Sequence, residues 1–314
     1  MPNLNRPKIA IAGAVNSSKK TLEKLIEHNL DLRLVLALNP DLSKNVSGYK
    51  DLKSISDPKG LYAVYFNNIN DDKVIRRLKK FEIDYLFVIG LSQLITEKVL
   101  NAVNKDCIGY HPTKLPEGRG RAAIAWSILG EAKPAATFFK IDKGMDSGDI
   151  YFQKPIVLSE KDYAQDLIDK LMVSIGEGLD EFLPNLELNK ISLSKQDETK
   201  ASYLEIRRPQ DGFINWNWSA NDIHKLIRAT SKPLPGAFSI LDNEKIIIWK
   251  AEVDKNLNIK GVPGRIIKTN KNDFWIQTGN YPLKITDYSL SDNATVKLGK
   301  KLGLNPLSIL KLLK

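Results

Sequence analysis

The sequence predicts an α/β first domain built on a mostly parallel sheet, followed by a smaller β-rich second domain. Three observations predict it. Short apolar runs alternate with amphipathic stretches up to about residue 186, as strands and helices do in parallel α/β units. A polar segment, residues 192–200 (SLSKQDETK), then interrupts the pattern. Beyond it the apolar runs follow one another with turn residues between them, the pattern of antiparallel hairpins. A chain of 314 residues also exceeds the roughly 250–300 residues at which single cores stop growing.

Taken in order, residues 8–12 (KIAIA), 32–38 (LRLVLAL), 61–66 and 84–89 (DYLFVI) read as buried strands, each a short and nearly continuous apolar run. Between them, residues 17–28 place Leu22, Leu25 and Ile26 at helical spacing, and residues 71–81 do so with Val74, Ile75 and Leu78. Two more strands are predicted at 107–110 and 136–141, each running directly into an unusual loop. A long helix over 161–186 closes the first domain, placed at residues 1–195. In the second domain, residues 203–314, a helix is predicted over 219–229. Strands follow over 246–253 (IIIWKAEV), 264–269, 274–277 and 283–288, parted by turns such as Asp242-Asn243. The first architecture is Rossmann-like, and the second is expected to be OB-like. In such parallel sheets ligands bind beyond the carboxyl ends of the strands, so chemistry is sought there.

Composition narrows the class. Hydrophobic residues at 42% and charged residues at 27% are those of an ordinary globular protein. No apolar run approaches the roughly 20 residues that cross a bilayer, which argues against a transmembrane protein. Residues 1–7 show no apolar leader, and Cys107 is a lone cysteine; a cytoplasmic protein is expected. One cysteine and three histidines leave little for a metal site, and none is expected. The net charge of +10 suggests anionic partners, and residues 201–314 carry +8 of it.

Two motifs fail on inspection. Residues 13–19 (GAVNSSK) follow the first strand as a phosphate loop would, but lack the second glycine before Lys-Ser/Thr. His28 and His224 lie within amphipathic helices and read as packing residues, as do Trp216 and Trp218. The informative stretch is 109–150. His111 ends a strand and opens a loop, His111-Pro112-Thr113-Lys114-Leu115-Pro116-Glu117-Gly118-Arg119-Gly120-Arg121. The next strand runs into Asp142-Lys143-Gly144-Met145-Asp146-Ser147-Gly148-Asp149. Adjacent parallel strands would bring both loops to one sheet edge. Histidines exchange protons near neutrality, and a neighbouring carboxylate orients the ring and stabilises its charged form. Glycines allow close backbone approach to a ligand, and Lys114, Arg119 and Arg121 suit phosphate.

The pattern His-Pro-x-x-Leu-Pro-x-x-Arg-Gly, followed by Gly-x-Asp-Ser-Gly-Asp, resembles the formyltransferase family that uses 10-formyltetrahydrofolate. Arg208-Pro209-Gln210-Asp211-Gly212-Phe213-Ile214-Asn215-Trp216, and 227–229 through 235–238, resemble the carboxyl-terminal domain of its tRNA and sugar enzymes. The resemblance implies His111 as catalytic base and Asp146 as its partner. It implies a pterin held by two loops, one with Ser92, Gln93, Leu94 and Ile95, the other with Ile141, Asp142 and Gly144. Lys114, Arg119 and Arg121 would meet the substrate's phosphates. The family's third member is an asparagine two residues before the histidine, and that position here is Gly109. It serves as an oxyanion donor, and losing one such donor costs roughly 10²–10³ in rate. Glycine is expected to open room there for another donor, Ser92 being one hydroxyl nearby.

The tRNA enzymes of the family carry a long basic insertion after the second strand, whereas residues 39–49 here are short and mildly charged. The resemblance therefore favours transfer of a formyl group to the amine of a nucleotide-linked amino sugar, by a cytoplasmic protein, with nucleic acid not its partner. Homodimers are common among those enzymes. The alternatives are a methionyl-tRNA formyltransferase, a formyltetrahydrofolate hydrolase, and a non-catalytic folate-binding homologue in which Gly109 marks lost activity.

Overall fold

The computed structural model describes residues 6–291 and 293–303. Residues 1–5, on which part of the leader argument rests, lie outside the described residues. Two compact units emerge. The first takes in the described residues up to Ala123, then Glu131–Leu158 and Ile168–Glu205; the second takes Ile124–Gly130, Ser159–Leu167 and the described residues from Ile206 onward. The polar segment 192–200 thus belongs to the first unit.

The first unit holds a seven-stranded sheet: β1 (Lys8–Gly13), β2 (Asp31–Leu38), β3 (Ala63–Phe66), β4 (Tyr85–Ile89), β5 (Asp106–Thr113), β7 (Pro134–Lys140) and β8 (Ile150–Pro155), ordered β3-β2-β1-β4-β5-β7-β8. β3 to β5 are parallel. Both faces of this block are covered, which is why its strands read as unbroken apolar runs. On one face Leu22 and Leu25 of α1 (Asn16–Glu27) and Ile175, Leu179 and Leu183 of α6 (Ala164–Glu187) pack on Ile9, Ile11 and Phe87. On the other, Val74 and Leu78 of α3 (Asp72–Lys80) and Val99 of α4 (Glu97–Leu100) cover Ala10, Leu86 and Cys107. The pairing of β5 with β7 is antiparallel, with His111 opposite Thr137, and so is that of β7 with β8. The expected parallel neighbour of the histidine strand is therefore corrected, and β8 is a strand that the mixed polar sequence IYFQKP concealed. A further two-residue pair joins β6 (Arg119–Gly120) to β9 (Tyr203–Leu204).

The second unit has a five-stranded antiparallel sheet, β10 (Ala237–Leu241), β11 (Glu244–Val253), β14 (Pro282–Ser289), β13 (Phe274–Gln277) and β12 (Ile266–Thr269), in that spatial order. Helix α7 (Ala220–Thr230), capped by the Ser219 hydroxyl accepting from Asp222 N at 3.1 Å, lays Ile223, Leu226 and Ile227 against Ile246, Ile248 and Phe274. No helix among the described residues is long and apolar enough to cross a membrane.

His224 on α7 packs edge-on against Tyr163, ring centroids 6.2 Å apart. Burial first, then the nearby Arg228 charge, lowers its pKa to about 4. Its ordinary value is about 6.5, so between these limits the unfolded chain binds more protons than the folded one. Stability from neutral His224 is complete above about pH 6.5 and is lost as the pH falls toward 4. Replacing His224 with Phe is expected to flatten the acid limb of the melting temperature measured between pH 7 and 4.5. An unchanged limb would remove His224 as its source.

Candidate active site

His111 lies in the last turns of β5 pairing, on the face shared with Cys107 and Gly109 by strand alternation, and is 5% exposed. Its Nε2 is 2.7 Å from the carbonyl oxygen of Gly118, which also accepts the Thr113 hydroxyl at 3.1 Å. A carbonyl cannot donate, so the neutral ring carries its proton on Nε2. Nδ1 is then the lone-pair nitrogen, and it faces Asp146 Oδ2 at 3.4 Å. The His111 loop thus fixes both tautomer and ring orientation through its own backbone.

Asp146 reaches the histidine by an indirect route. Because β7 is antiparallel to β5, the acidic loop leaves the sheet beside Cys107, whose carbonyl accepts from Ile141 N at 2.8 Å. It closes on itself through Lys140 N donating to Asp149 O at 2.8 Å. Inside it, Asp142 Oδ1 accepts from Gly144 N at 2.9 Å and from Ser147 Oγ at 2.8 Å. At the apex Asp146 adopts φ +51°, a left-handed conformation costly for a residue with a side chain. Its Oδ2 accepts from Gly120 N at 2.8 Å. Gly120 has φ +111°, and a Cβ there would run into the Leu204 carbonyl, so no other residue serves.

The remaining predicted residues divide. Lys114 and Arg121 are exposed on the His111 loop. Arg119 is corrected: it is fully buried, and its guanidinium donates to Gln196 Oε1, to both oxygens of Glu198 at 2.6 and 2.9 Å, and to Tyr203 Oη at 3.1 Å. Every donor is taken, which leaves nothing for a substrate phosphate; Glu198 holds it still more firmly protonated than a free arginine. Gln93 is likewise occupied, accepting from Ile69 N and donating to Asn67 O, both at 2.8 Å. Its side chain anchors the loop after β4. That loop leaves Gly90, at φ +63°, level with His111 when the Val88–Gly109 pairing is carried two residues on. Ser92 and Leu94 are exposed there, Leu94 at 82%, and Ile95 packs into the core. Across from it Ile141 packs into the same core, while Met145 is 52% exposed. Among the described residues the N–H groups of Ser92, Gln93 and Leu94 find no partner. Free amides beside the exposed Leu94 side chain suit a flat heterocycle with donors and acceptors along its edge.

Gly109 does not leave a vacancy. A Cβ there would lie 2.9 Å from Phe139 Cζ and 3.0 Å from Ile141 Cγ1. The room expected for a substitute donor is filled by an aromatic ring from the paired strand and by an aliphatic chain. Gln196, Glu198 and Ser202, which the sequence does not point to, secure the His111 and Asp146 loops. The glycines at 118 and 120 were the available signal, since tight glycines imply that another segment lies against them.

Among the described residues no cluster of three His, Cys, Asp or Glu side chains is placed to hold a metal ion. Comparison with known proteins adds independent findings. Residues 8–181 match the family model for formyl transferase, and residues 207–300 match that for the formyl transferase C-terminal domain. A methionyl-tRNA formyltransferase of Caldanaerobacter subterraneus is 30% identical over 285 residues, 89% of this chain and 91% of that one. Among solved structures, WlaRD, a sugar 3N-formyl transferase in the presence of dTDP and 5-N-formyl-THF, aligns with TM-score 0.65 at 20% identity, covering 90% of this chain and 98% of that one. An N-formyltransferase of Helicobacter canadensis, in complex with folinic acid and dTDP-3-aminofucose, aligns with TM-score 0.64 at 19% identity, covering 89% and 99%.

Proposed function

The chain belongs to the formyltransferase family, and we propose that it moves a formyl group from 10-formyltetrahydrofolate to the amine of a nucleotide-linked amino sugar. The cosubstrate supplies the activated formyl carbon. Nδ1 of His111 takes the proton that the attacking amine releases and returns it to the folate N10 as the formyl carbon–N10 bond breaks and tetrahydrofolate leaves, while Nε2 stays bonded to Gly118 O. The Asp146 carboxylate, 3.4 Å away, stabilises the resulting imidazolium and is itself steadied by Gly120 N–H. Ser92, Leu94, Ile95, Ile141, Asp142, Gly144 and Met145 border the pterin, and Lys114 and Arg121 meet the diphosphate.

One observation carries the choice of amine. Where the resemblance puts a long basic insertion in the tRNA enzymes, this chain has a closed connection between β2 and α2 (Leu52–Ser56). A single 3₁₀ turn (Pro40–Asn45) fills it, and Tyr49 Oη donates to Leu38 O at 2.7 Å. The dTDP and dTDP-3-aminofucose in the two neighbouring structures support the same substrate class. Methionyl-tRNA is the second reading, favoured by the 30% identical relative. The intact His111–Asp146 pair supports catalysis over a folate-binding role alone. Cytoplasmic location and a homodimer complete the reading.

Tetrahydrofolate release from 10-formyltetrahydrofolate tests it, with dTDP- and UDP-linked 3-amino and 4-amino hexoses, methionyl-tRNA, or water as acceptor. Release should depend strictly on an amino sugar. Formylation of methionyl-tRNA alone would overturn the reading, and turnover with water alone would make the protein a hydrolase. Folate binding without release would make it non-catalytic.

A further inference from the structure

We propose that Gln196, in the polar segment after the long helix, is a positioning residue that sets the His111–Asp146 geometry. Its side-chain amide joins the two catalytic loops. Nε2 donates to the carbonyls of Asp146 at 2.8 Å and Gly148 at 2.7 Å. Oε1 accepts from Arg119 Nη2 at 2.8 Å and Nε at 3.2 Å. Arg119 precedes Gly120, whose N–H holds the Asp146 carboxylate. A closed circuit results: Asp146 carboxylate, Gly120 N–H, Arg119 guanidinium, Gln196 amide, Asp146 carbonyl. The circuit clamps the strained residue from both its peptide and its side chain.

The surrounding segment is built to hold that amide in place. Ser194 exchanges two backbone hydrogen bonds with Ile150, at 2.8 and 2.9 Å. Glu198 grips Arg119, and Ser202 Oγ accepts from Gly118 N at 2.8 Å, next to the carbonyl that fixes the His111 tautomer. Arg119 N donates to Ser202 O at 2.9 Å and Arg121 N to Leu204 O at 3.0 Å. One strap, residues 194–204, therefore touches the peptide of Asp146 and the backbone beside both partners of His111. An amide side chain is the group suited to its centre, because the site presents carbonyls on one side and a guanidinium on the other. A carboxylate would meet the carbonyls with acceptors only.

The proposal rests on the transferase reading, so its test uses two readouts. With three histidines in the chain, ¹⁵N spectra of the imidazoles report His111 directly, whatever the substrate. Gln196→Ala is expected to shift the His111 Nδ1 resonance and leave those of His28 and His224 in place. In the transfer assay kcat should fall about 10- to 100-fold, the range for lost supporting hydrogen bonds, with KM for 10-formyltetrahydrofolate unchanged within about threefold. Gln196→Glu, which keeps size and the acceptor for Arg119, should behave like the alanine variant, and it decides the matter if Gln196→Ala does not fold. In a double-mutant cycle with Asp146→Asn, the double variant should be no slower than Asp146→Asn alone. Rate losses that multiply, or an unmoved His111 resonance in both variants, would overturn the proposal. A moved resonance in a protein that transfers formyl to no amine would sink the transferase reading and leave the positioning role standing.

Discussion

His111→Asn is expected to lower the rate of formyl transfer by roughly 10²–10⁴-fold, the usual contribution of a positioned acid–base group, with folate affinity nearly unchanged. The two effects separate because the groups separate. Asparagine has no nitrogen lone pair to take the amine's proton, so the step assigned to Nδ1 is lost. The loops read as the pterin's border are anchored elsewhere, by Gln93 on Ile69 and Asn67 and by Asp142 on Gly144 and Ser147. The Gly118 carbonyl then keeps only a share of the Thr113 hydroxyl proton, which lies nearer Glu117 O (2.9 Å) than Gly118 O (3.1 Å), so the substitution is also expected to cost some stability. Single-turnover transfer and folate titration by fluorescence measure the two quantities. Full activity in the variant would remove His111 as the base.

How much of this was legible depended on whether a residue's partner was near in sequence. The five-strand parallel block could be read because both its faces are buried, which writes the strands as continuous apolar runs such as YLFVI. The helix carrying Leu22 and Leu25 could be read from its 3.6-residue period. Strand direction could not: nothing in AATFFK says that β7 runs against β5, and the hairpin to β8 fixes it only once β8 is known. Arg119 reads as a phosphate ligand from its charge beside Lys114 and Arg121. Its actual partner, Glu198, lies 79 residues away, and side-chain hydrogen bonds leave no periodicity behind them. Gln196 was invisible for the same reason, inside a stretch whose polarity reads as solvated linker. His111 and the acidic loop stand out by their place after strands, the choice of Asp146 within that loop rests on resemblance to a family motif, and their meeting depends on a loop that no local pattern describes.

Gly109→Asn, which restores the family's asparagine, is expected to cost stability and to give no gain in rate. The missing side chain's place is occupied: Phe139 Cζ and Ile141 Cγ1 stand 2.9 and 3.0 Å from where Cβ would be. Forcing atoms into a packed site costs about 1–3 kcal/mol, or roughly 2–4 °C of melting temperature for each kcal/mol in a unit of this size. An amide pressed against an aromatic ring also loses water without gaining a partner, which adds to the cost. The Gly109 position and the Phe139 ring therefore compete for one space, and the two are tested together. Phe139→Leu alone removes ring volume beside Gly109 and should lower stability modestly. Added to it, Gly109→Asn should fit without the clash, with no gain in stability over Phe139→Leu unless its amide finds a partner. If the restored amide then reaches the reacting oxygen, the rate should rise by up to roughly 10²–10³ over Phe139→Leu, the value of one oxyanion donor. Thermal unfolding and transfer rates of the four proteins decide it. A faster and equally stable Gly109→Asn single variant would show that Phe139 yields freely, and that the glycine alone accounts for the departure from the family.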